Sequence, residues 1–306
     1  MTNSTASLLL QAATAAAGSQ QYPAAALYVI ATPIGNLADL SLRAIHVLSL
    51  IDALACEDTR HSAPLLRHLG LDKPLLAVHE HNEREAAQAV LARLARGERV
   101  AYVSDAGTPA ISDPGAALVA AVQAAGYPTI PLPGASSAAA AMSVAGDVHA
   151  AGFMFIGFMP TRGGERSQAL KKLAASAAAQ VLFEAPHRIE SLVAALAQLC
   201  GERSVTLCRE LTKQFETVVT LPAQQLPGWL AADSNRLRGE FVLVVHAMAH
   251  QPIDDAATQH DAMLQTLLAT LPLKQAVAIA VELSGAPRNG LYARALVLKQ
   301  VPAVRP

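Results

Sequence analysis

The chain predicts an α/β protein of two α/β domains, the first on a mostly parallel sheet and the second on a mixed sheet, followed by a small C-terminal helical unit. Three observations carry this. Short apolar runs alternate with amphipathic stretches from Leu27 to about residue 145, the pattern of a parallel sheet with helices on both faces. From about Gly152 the runs lengthen and become rich in β-branched and aromatic residues. Beyond residue 258 only helical patterns remain.

Residues 1–25 are rich in Ala, Ser, Thr and Gln and hold no Lys or Arg. They lack the basic start of a secretory signal and read as a disordered tail. The first domain, 26–145, opens with a strand at Leu27–Ala31, the loop Thr32–Asn36 and a helix at Ser41–Leu50 with Ser41 as its cap. A strand at Ala53–Cys56, a helix at Ser62–Leu69, a strand at Leu75–Val78 and a helix at Arg84–Arg96 follow. Val100–Val103 is a strand, Gly115–Ala125 a helix, Thr129–Leu132 a strand, and an Ala-rich helix starts at Ala138. The loops Thr32–Asn36, Ser104–Gly115 and Pro133–Ser137 fall at the carboxyl ends of strands, where sheets of this kind bind ligands.

The second domain, 150–248, has strands at Phe153–Phe158, Val181–Phe183, Ser204–Cys208, Glu216–Leu221 and Glu240–His246, with helices at Glu165–Ala177 and Ile189–Cys200. Gln251–Thr258 is a polar, acidic linker by composition. The unit at 258–306 reads as helices Met263–Leu271 and Leu273–Leu283, stopping near Gly285. It is basic: from Ala262 onward the only acid is Glu282, against Lys274, Arg288, Arg294, Lys299 and Arg305. A solvated helix face explains that charge equally well when it is taken alone.

Bulk properties narrow the function. A net charge of -1 over 306 residues does not announce a nucleic-acid binder. Alanine carries much of the 52% hydrophobic content, and no apolar run reaches the ~20 residues of a membrane span. Cys56, Cys200 and Cys208 show no CxxC spacing, which suits a reducing cytosol and speaks against a disulfide framework or structural zinc.

The loop from Val103 to Gly115 has the chemistry of a ligand cradle. Gly107 and Gly115 permit positive φ and close backbone approach, Pro109 and Pro114 stiffen the path, and Ser, Thr and Asp add polar contacts. Asp105 can accept from a ribose hydroxyl or an amino group, with a turn cap as the plainer alternative. No GxGxxG follows the first strand and no Walker lysine is present, so dinucleotide and P-loop readings lose their supports. His79-Glu80-His81-Asn82-Glu83 invites a metal, but alternate side chains on a strand end point to opposite faces and no third ligand is placed for it. No metal is expected.

Several motifs then carry a resemblance: ATPIGNLADLSLRA at 31–44, EDTR at 57–60, HEHNE at 79–83, VSDAGTPAISDPG at 103–115 and PLPGASSAAAA at 131–141. GFMP at 157–160, FEAPHR at 183–188, RELTKQFE at 209–216 and RGEFVLVV at 238–245 extend it. In this order they resemble the tetrapyrrole methylase superfamily, and within it the branch that methylates a cytidine 2'-hydroxyl in small-subunit ribosomal RNA. Met159, where the branch usually has Leu, is a conservative departure.

The resemblance implies S-adenosylmethionine (SAM) in the cleft between the two α/β domains, held by Pro33, Ser104, Asp105, Gly107, Ser136, Ser137, Ala185 and Glu240. For the proton of the acceptor hydroxyl it leaves Glu184 and His187 as candidate bases, with Lys213 or Arg209 to stabilise developing charge. A structural ion-pair network is the plainer reading of Glu184, Arg209, Glu210 and Lys213. Arg60, Arg162, Arg166, Arg209, Lys274 and Arg288 are the expected RNA contacts, with capping of the next helix as the plainer role of the segment around Arg60. The implied partners are 16S rRNA in the 30S subunit and a second copy of the chain, in the cytoplasm. Two other readings stay open: a tetrapyrrole methylase using the same cofactor, and a non-catalytic RNA-binding assembly factor.

Overall fold

Apolar strands that carry their neighbours on both sides build the first sheet. A computed structural model describes residues 3–79, 82–249 and 260–300, and the chain divides into two units at Met1–Met248 and Ala249–Pro306. In the first unit, helix α1 (Asn3–Ala17) precedes β1 (Leu27–Ile30), α2 (Leu42–Leu50), β2 (Ala53–Cys56), α3 (Thr59–His68) and β3 (Leu75–Ala77). Helix α4 (Glu83–Leu94), β4 (Val100–Val103), α5 (Ala116–Ala124), β5 (Thr129–Leu132) and α6 (Ser137–Ala145) follow. The strands order as β3-β2-β4-β1-β5, every pair parallel. All four residues of β2 and of β4 are buried, as expected of strands covered on both faces. Ser41 caps α2, its side chain accepting from Ala44 N at 3.1 Å.

Residues 3–17 correct the expectation of a disordered tail. They form α1, which packs on α2 with Ala13 and Ala17 buried and Leu9 and Leu10 against the core. Alanine is the strongest helix former, and small side chains allow the two helices to approach closely.

The second sheet comprises β6 (Phe153–Phe158), β7 (Ala179–Glu184), β8 (Ser204–Arg209), β9 (Thr217–Pro222) and β10 (Phe241–Val245). Helices α7 (Gly163–Ala175), α8 (Ile189–Cys200) and the short α9 (Leu226–Ala231) lie between them in sequence. The order is β6-β7-β10-β8-β9, with β6 parallel to β7 and all other pairs antiparallel, so the sheet is mixed as predicted. Phe241 pairs with Glu184 on one side and Arg209 on the other, which gathers the ends of β7 and β8 around the start of β10. One face of this sheet carries Leu182, Leu207 and Leu243 against Leu192, Val193 and Leu196 of α8. Its other face packs Val181, Cys208, Val242 and Val244 against Ala138, Ala141 and Ala145 of α6. The helix that follows the Pro133–Ser136 turn therefore docks on the second sheet, and fixes the two sheets to each other.

The second unit contains α10 (Asp261–Leu268), α11 (Leu273–Ser284) and α12 (Arg288–Gln300). Leu264, Val277, Ala280, Leu291 and Ala295 form its core. Gly285, at φ +66°, ends α11 where the sequence placed the stop. The third helix goes beyond the two read from the pattern. The linker expected at 251–258 lies outside the described residues, as do Glu80 and His81. Among the described residues no helix is long and apolar enough to cross a membrane.

Candidate functional site

The three small-residue loops meet because β1 lies between β4 and β5. Thr32 N donates to Gly107 O at 2.9 Å and Gly107 N donates back to Thr32 O at 3.1 Å. Thr108 Oγ1 donates to Ala135 O at 3.1 Å, tying the central loop to the third. Gly107 sits at φ +83°, and a Cβ at Gly134 would stand 3.0 Å from Ala31 Cβ. Ala110 and Ser112 hold φ of +63° and +71°, a conformation that non-glycine residues adopt at a cost and that clusters at ligand sites. The same loop reaches the second sheet, where a Cβ on Gly157 would lie 3.2 Å from Ser112 Oγ.

A cleft of about 400 Å³ opens between these loops and the second sheet. Ile34, Ala106, Asp113 and Ser137 line one wall; Phe158, Phe183, Glu184, Ala185, Pro186, Leu211, Glu240, Phe241 and Val242 line the other. A smaller recess of about 180 Å³ is lined by Thr32, Pro33, Leu37, His61, Ser62, Pro64, Leu65, Ser104 and Asp105. The two are separated by single peptide steps: Pro33 lines the recess and Ile34 the cleft, Asp105 the recess and Ala106 the cleft. A larger hollow of about 680 Å³ runs along α1 beside Leu69 and Gly70, away from the strand ends and without a charged residue in its lining.

Carboxylates concentrate around the central loop. Burial pushes the Asp113 carboxyl above the usual range, against a hydrogen bond from Ser104 that works the other way. Burial raises Glu57 as well, and its Oε2 accepts from Asp105 N at 3.4 Å. Asp105 Oδ2 lies 2.8 Å from His61 Nδ1, while Oδ1 accepts from Asp58 N at 3.1 Å. The Asp105 hydrogen bond, seconded by its charge, holds His61 above its ordinary value. Arg60, bound to Asp58 at 2.6 Å, holds that carboxyl down at about 2.

Six of the eight expected cofactor residues fall into two groups. Ser137, Ala185 and Glu240 line the cleft; Pro33, Ser104 and Asp105 line the recess; Gly107 bridges the loops. Ser136 caps α6, accepting from Ala139 N at 3.4 Å.

The structure places two members of the expected catalytic set, Glu184 and Lys213, in ion pairs. Glu184 is buried, with Arg188 Nε 2.8 Å from its Oε1, Arg188 Nη2 donating to Oε2 at 3.2 Å and Arg166 Nη1 at 3.8 Å. Its Oε1 also accepts from Ala185 N at 3.0 Å. These partners, Arg166 and Arg188, differ from Arg209 and Lys213, which the ion-pair alternative had grouped with Glu184. His187 is exposed on the turn after β7 and is not among the residues lining the cleft. Lys213 Nζ is 2.9 Å from both Glu210 Oε1 and Glu240 Oε2, and its stem lies against Gly35, so that it clasps the first loop to the second sheet. Burial works against the Lys213 ammonium, but the two carboxylates outweigh it and hold the group above its ordinary value.

Three of the expected RNA contacts are likewise committed elsewhere or in pairs. Arg209 donates to Arg238 O, Phe215 O and Thr217 Oγ1 and clips the Glu210–Glu216 loop, and Arg166 donates to Pro160 O and Ser191 Oγ. Arg60 pairs with Asp58 but keeps an exposed tip, and Arg162 is exposed at the start of α7. Lys274 and Arg288 are exposed in the helical unit. The sequence reading passed over Asp113, although the Asp-Pro-Gly turn inside the quoted central motif was a signal, and over Phe158, Phe183 and Leu211, whose apolar character reads as core.

A sequence profile of the family described as Tetrapyrrole (Corrin/Porphyrin) Methylases matches residues 26–227, and one described as RsmI C-terminal HTH domain matches residues 254–299. The chain is 45% identical over 275 residues to Ribosomal RNA small subunit methyltransferase I of Pseudomonas aeruginosa, covering 89% of this chain and 97% of that one. The protein of the same name in Escherichia coli O157:H7 is 44% identical, covering 88% of this chain and 94% of its own. A uroporphyrin-III-C-methyltransferase from Thermus thermophilus superposes with a TM-score of 0.52 at 21% identity, covering 72% of this chain and 94% of that chain. Another such structure from Thermus thermophilus, complexed with S-adenyl homocysteine, gives 0.50 at 16% identity, covering 72% and 96%. The chain therefore belongs to the tetrapyrrole (corrin/porphyrin) methylase family, on the branch of the ribosomal RNA small subunit methyltransferase I proteins.

Proposed function

We propose that this protein methylates the ribose 2'-hydroxyl of a cytidine in 16S rRNA, with SAM as the methyl donor and the 30S subunit as the substrate particle. The observation that carries the reading is the pairing, in one chain, of the methylase match at 26–227 with the C-terminal match at 254–299.

The cleft suits SAM. Phe158, Phe183 and Leu211 offer apolar surface to a flat adenine, Ala106, Ser137 and Ala185 leave room beside the backbone, and the carboxylates of Asp113 and Glu240 favour a cation. SAM supplies a methyl group on a sulfonium, whose departure needs no acid. The chain's own work is then to place the acceptor oxygen in line with that methyl, to screen the site from water and to remove a proton. Pro33, Ile34, Asp105 and Ala106, on segments tied by the Thr32–Gly107 bridge, form the rigid partition at which donor and acceptor would meet.

With six Phe and one Trp, the chain is poorly equipped for base stacking, so phosphate contacts and the folded shape of the particle dominate recognition in this reading. A cytoplasmic homodimer accords with it. Edge strand β6 exposes Phe153, Met154 and Ile156, an apolar edge that another copy could cover.

An acceptor panel tests the reading: radiolabelled SAM is incubated with the protein and 30S subunits, naked 16S rRNA or a uroporphyrinoid. Label in RNA, with 30S preferred, is expected. Label in the tetrapyrrole alone would replace the reading with small-molecule methylation, and SAM binding without transfer to any acceptor would replace it with a non-catalytic role.

A further inference from the structure

We propose that His61, oriented by Asp105, is the general base of this reaction, and that the recess it lines receives the acceptor ribose. The inference rests on the methyl-transfer reading above and names the group that reading leaves unassigned.

Elimination gives the first argument. Glu184 has both oxygens engaged by arginines, Lys213 is held as an ammonium between two carboxylates, and His187 lines neither the cleft nor the recess, whereas His61 lines the recess.

The geometry of the recess gives the second. His61 stands on the first turn of α3, after β2, and Asp105 follows β4; β2 and β4 are neighbours in the sheet, so residues 44 positions apart meet. A second hydrogen bond orients Asp105, whose other oxygen accepts from Asp58 N at 3.1 Å. With the carboxylate accepting at Nδ1, the imidazole proton sits on Nδ1 and the lone pair on Nε2, the arrangement of a carboxylate-oriented base. The His61 side chain is 66% exposed, which a base acting on a macromolecular substrate requires. Thr32, Pro33, Ser104 and Asp105 complete a recess of about 180 Å³, separated from the donor cleft by one peptide step on each loop. Arg60, 87% exposed beside it, can exchange its weak surface pair with Asp58 for a flanking phosphate.

The step balances. The ribose oxygen forms a bond to the methyl carbon as the sulfur–carbon bond breaks and its electron pair returns to sulfur. The hydroxyl proton passes to His61 Nε2 and from there to solvent.

The charged groups around His61 fix the direction of its pH dependence. Asp105 and, more weakly, Asp58 raise its affinity for a proton, and Arg60 lowers it. A base must be neutral, so activity rises with pH through a value above the ordinary 6.5 of histidine.

Single-turnover methylation of 30S subunits across pH, with SAM affinity measured calorimetrically on the same full-length variants, tests the assignment. His61→Gln is expected to lose roughly 100-fold to 10,000-fold in rate, to keep SAM affinity within about twofold, and to lose the acidic limb of the profile. Asp105→Asn is expected to move that limb to lower pH. If His61→Gln fails to fold or to bind SAM, His61→Ala with added imidazole decides: restored transfer supports the base, and no restoration overturns it. A His61→Gln protein that keeps both the rate and the acidic limb overturns the assignment and leaves the methyl-transfer reading intact. A wild-type protein that transfers nothing to RNA overturns both.

Discussion

Thr32 and Gly107 exchange two backbone hydrogen bonds, at 2.9 and 3.1 Å, and so lock the loop after β1 to the loop after β4. Gly107 can do this only at φ +83°, and a Cβ there would touch Ile34 at 3.4 Å. Gly107→Val is therefore expected to destabilise the protein by about 1–2 kcal/mol and to weaken SAM binding, since Ile34 and Ala106 both line the cleft. Thermal unfolding and calorimetry on one preparation check this; unchanged SAM affinity would detach the bridge from the site.

Glu184 is a different case, a buried anion between Arg166 and Arg188. Glu184→Ala leaves two guanidinium groups without their counter-charge and is expected to cost about 3–5 kcal/mol in denaturant unfolding. A protein of undiminished stability but abolished transfer would restore Glu184 to the catalytic set.

Asp113 links the cleft to pH. Its carboxyl titrates above the usual range because it is buried, so it loses its charge before ordinary carboxylates as the solution is acidified. SAM carries one more positive charge than its demethylated product, and Asp113→Asn is expected to weaken SAM by roughly tenfold while sparing the product, a difference of about 1.4 kcal/mol. In the wild type, acidification should erode SAM affinity in the same selective way. Parallel titrations of both ligands at neutral pH and near pH 5 measure it, and equal losses for both would contradict the electrostatic role.

The helical unit should respond to acid through Asp261. Its hydrogen bond to Arg294, at 2.5 Å between Nη2 and Oδ2, holds the carboxyl below its ordinary 3.8. The folded value is the lower one, so the stabilisation is complete above 3.8 and is lost as pH falls through the folded value. Asp261→Asn should cost about 1 kcal/mol at neutral pH and remove that acid sensitivity, as read by hydrogen exchange of α10 and α12.

The loops that build the site were legible in the sequence because their chemistry is local. Glycine and proline spacing between Ser104 and Gly115 marks a turn whatever surrounds it, and the apolar Val100–Val103 run before it marks the strand. Partnerships across the sheet were not legible. His61 meets Asp105 only because β2 and β4 are adjacent, an order that alternation of elements does not reveal. The ion-pair alternative for Glu184 was legible, but its partners were not: Arg166 and Arg188 hold it, while Arg209 is used on backbone carbonyls. The helix α1 was missed because alanine, serine and threonine without charges resemble a tail, while the burial of Ala13 and Ala17 against α2 is a tertiary fact.

The most direct test of the central claim is nucleoside mass spectrometry of 16S rRNA recovered from 30S subunits after incubation with the protein and SAM. One new 2'-O-methylcytidine at a single position is the result this account predicts. Methyl groups on a base, or RNA without any new modification despite SAM binding, would contradict it.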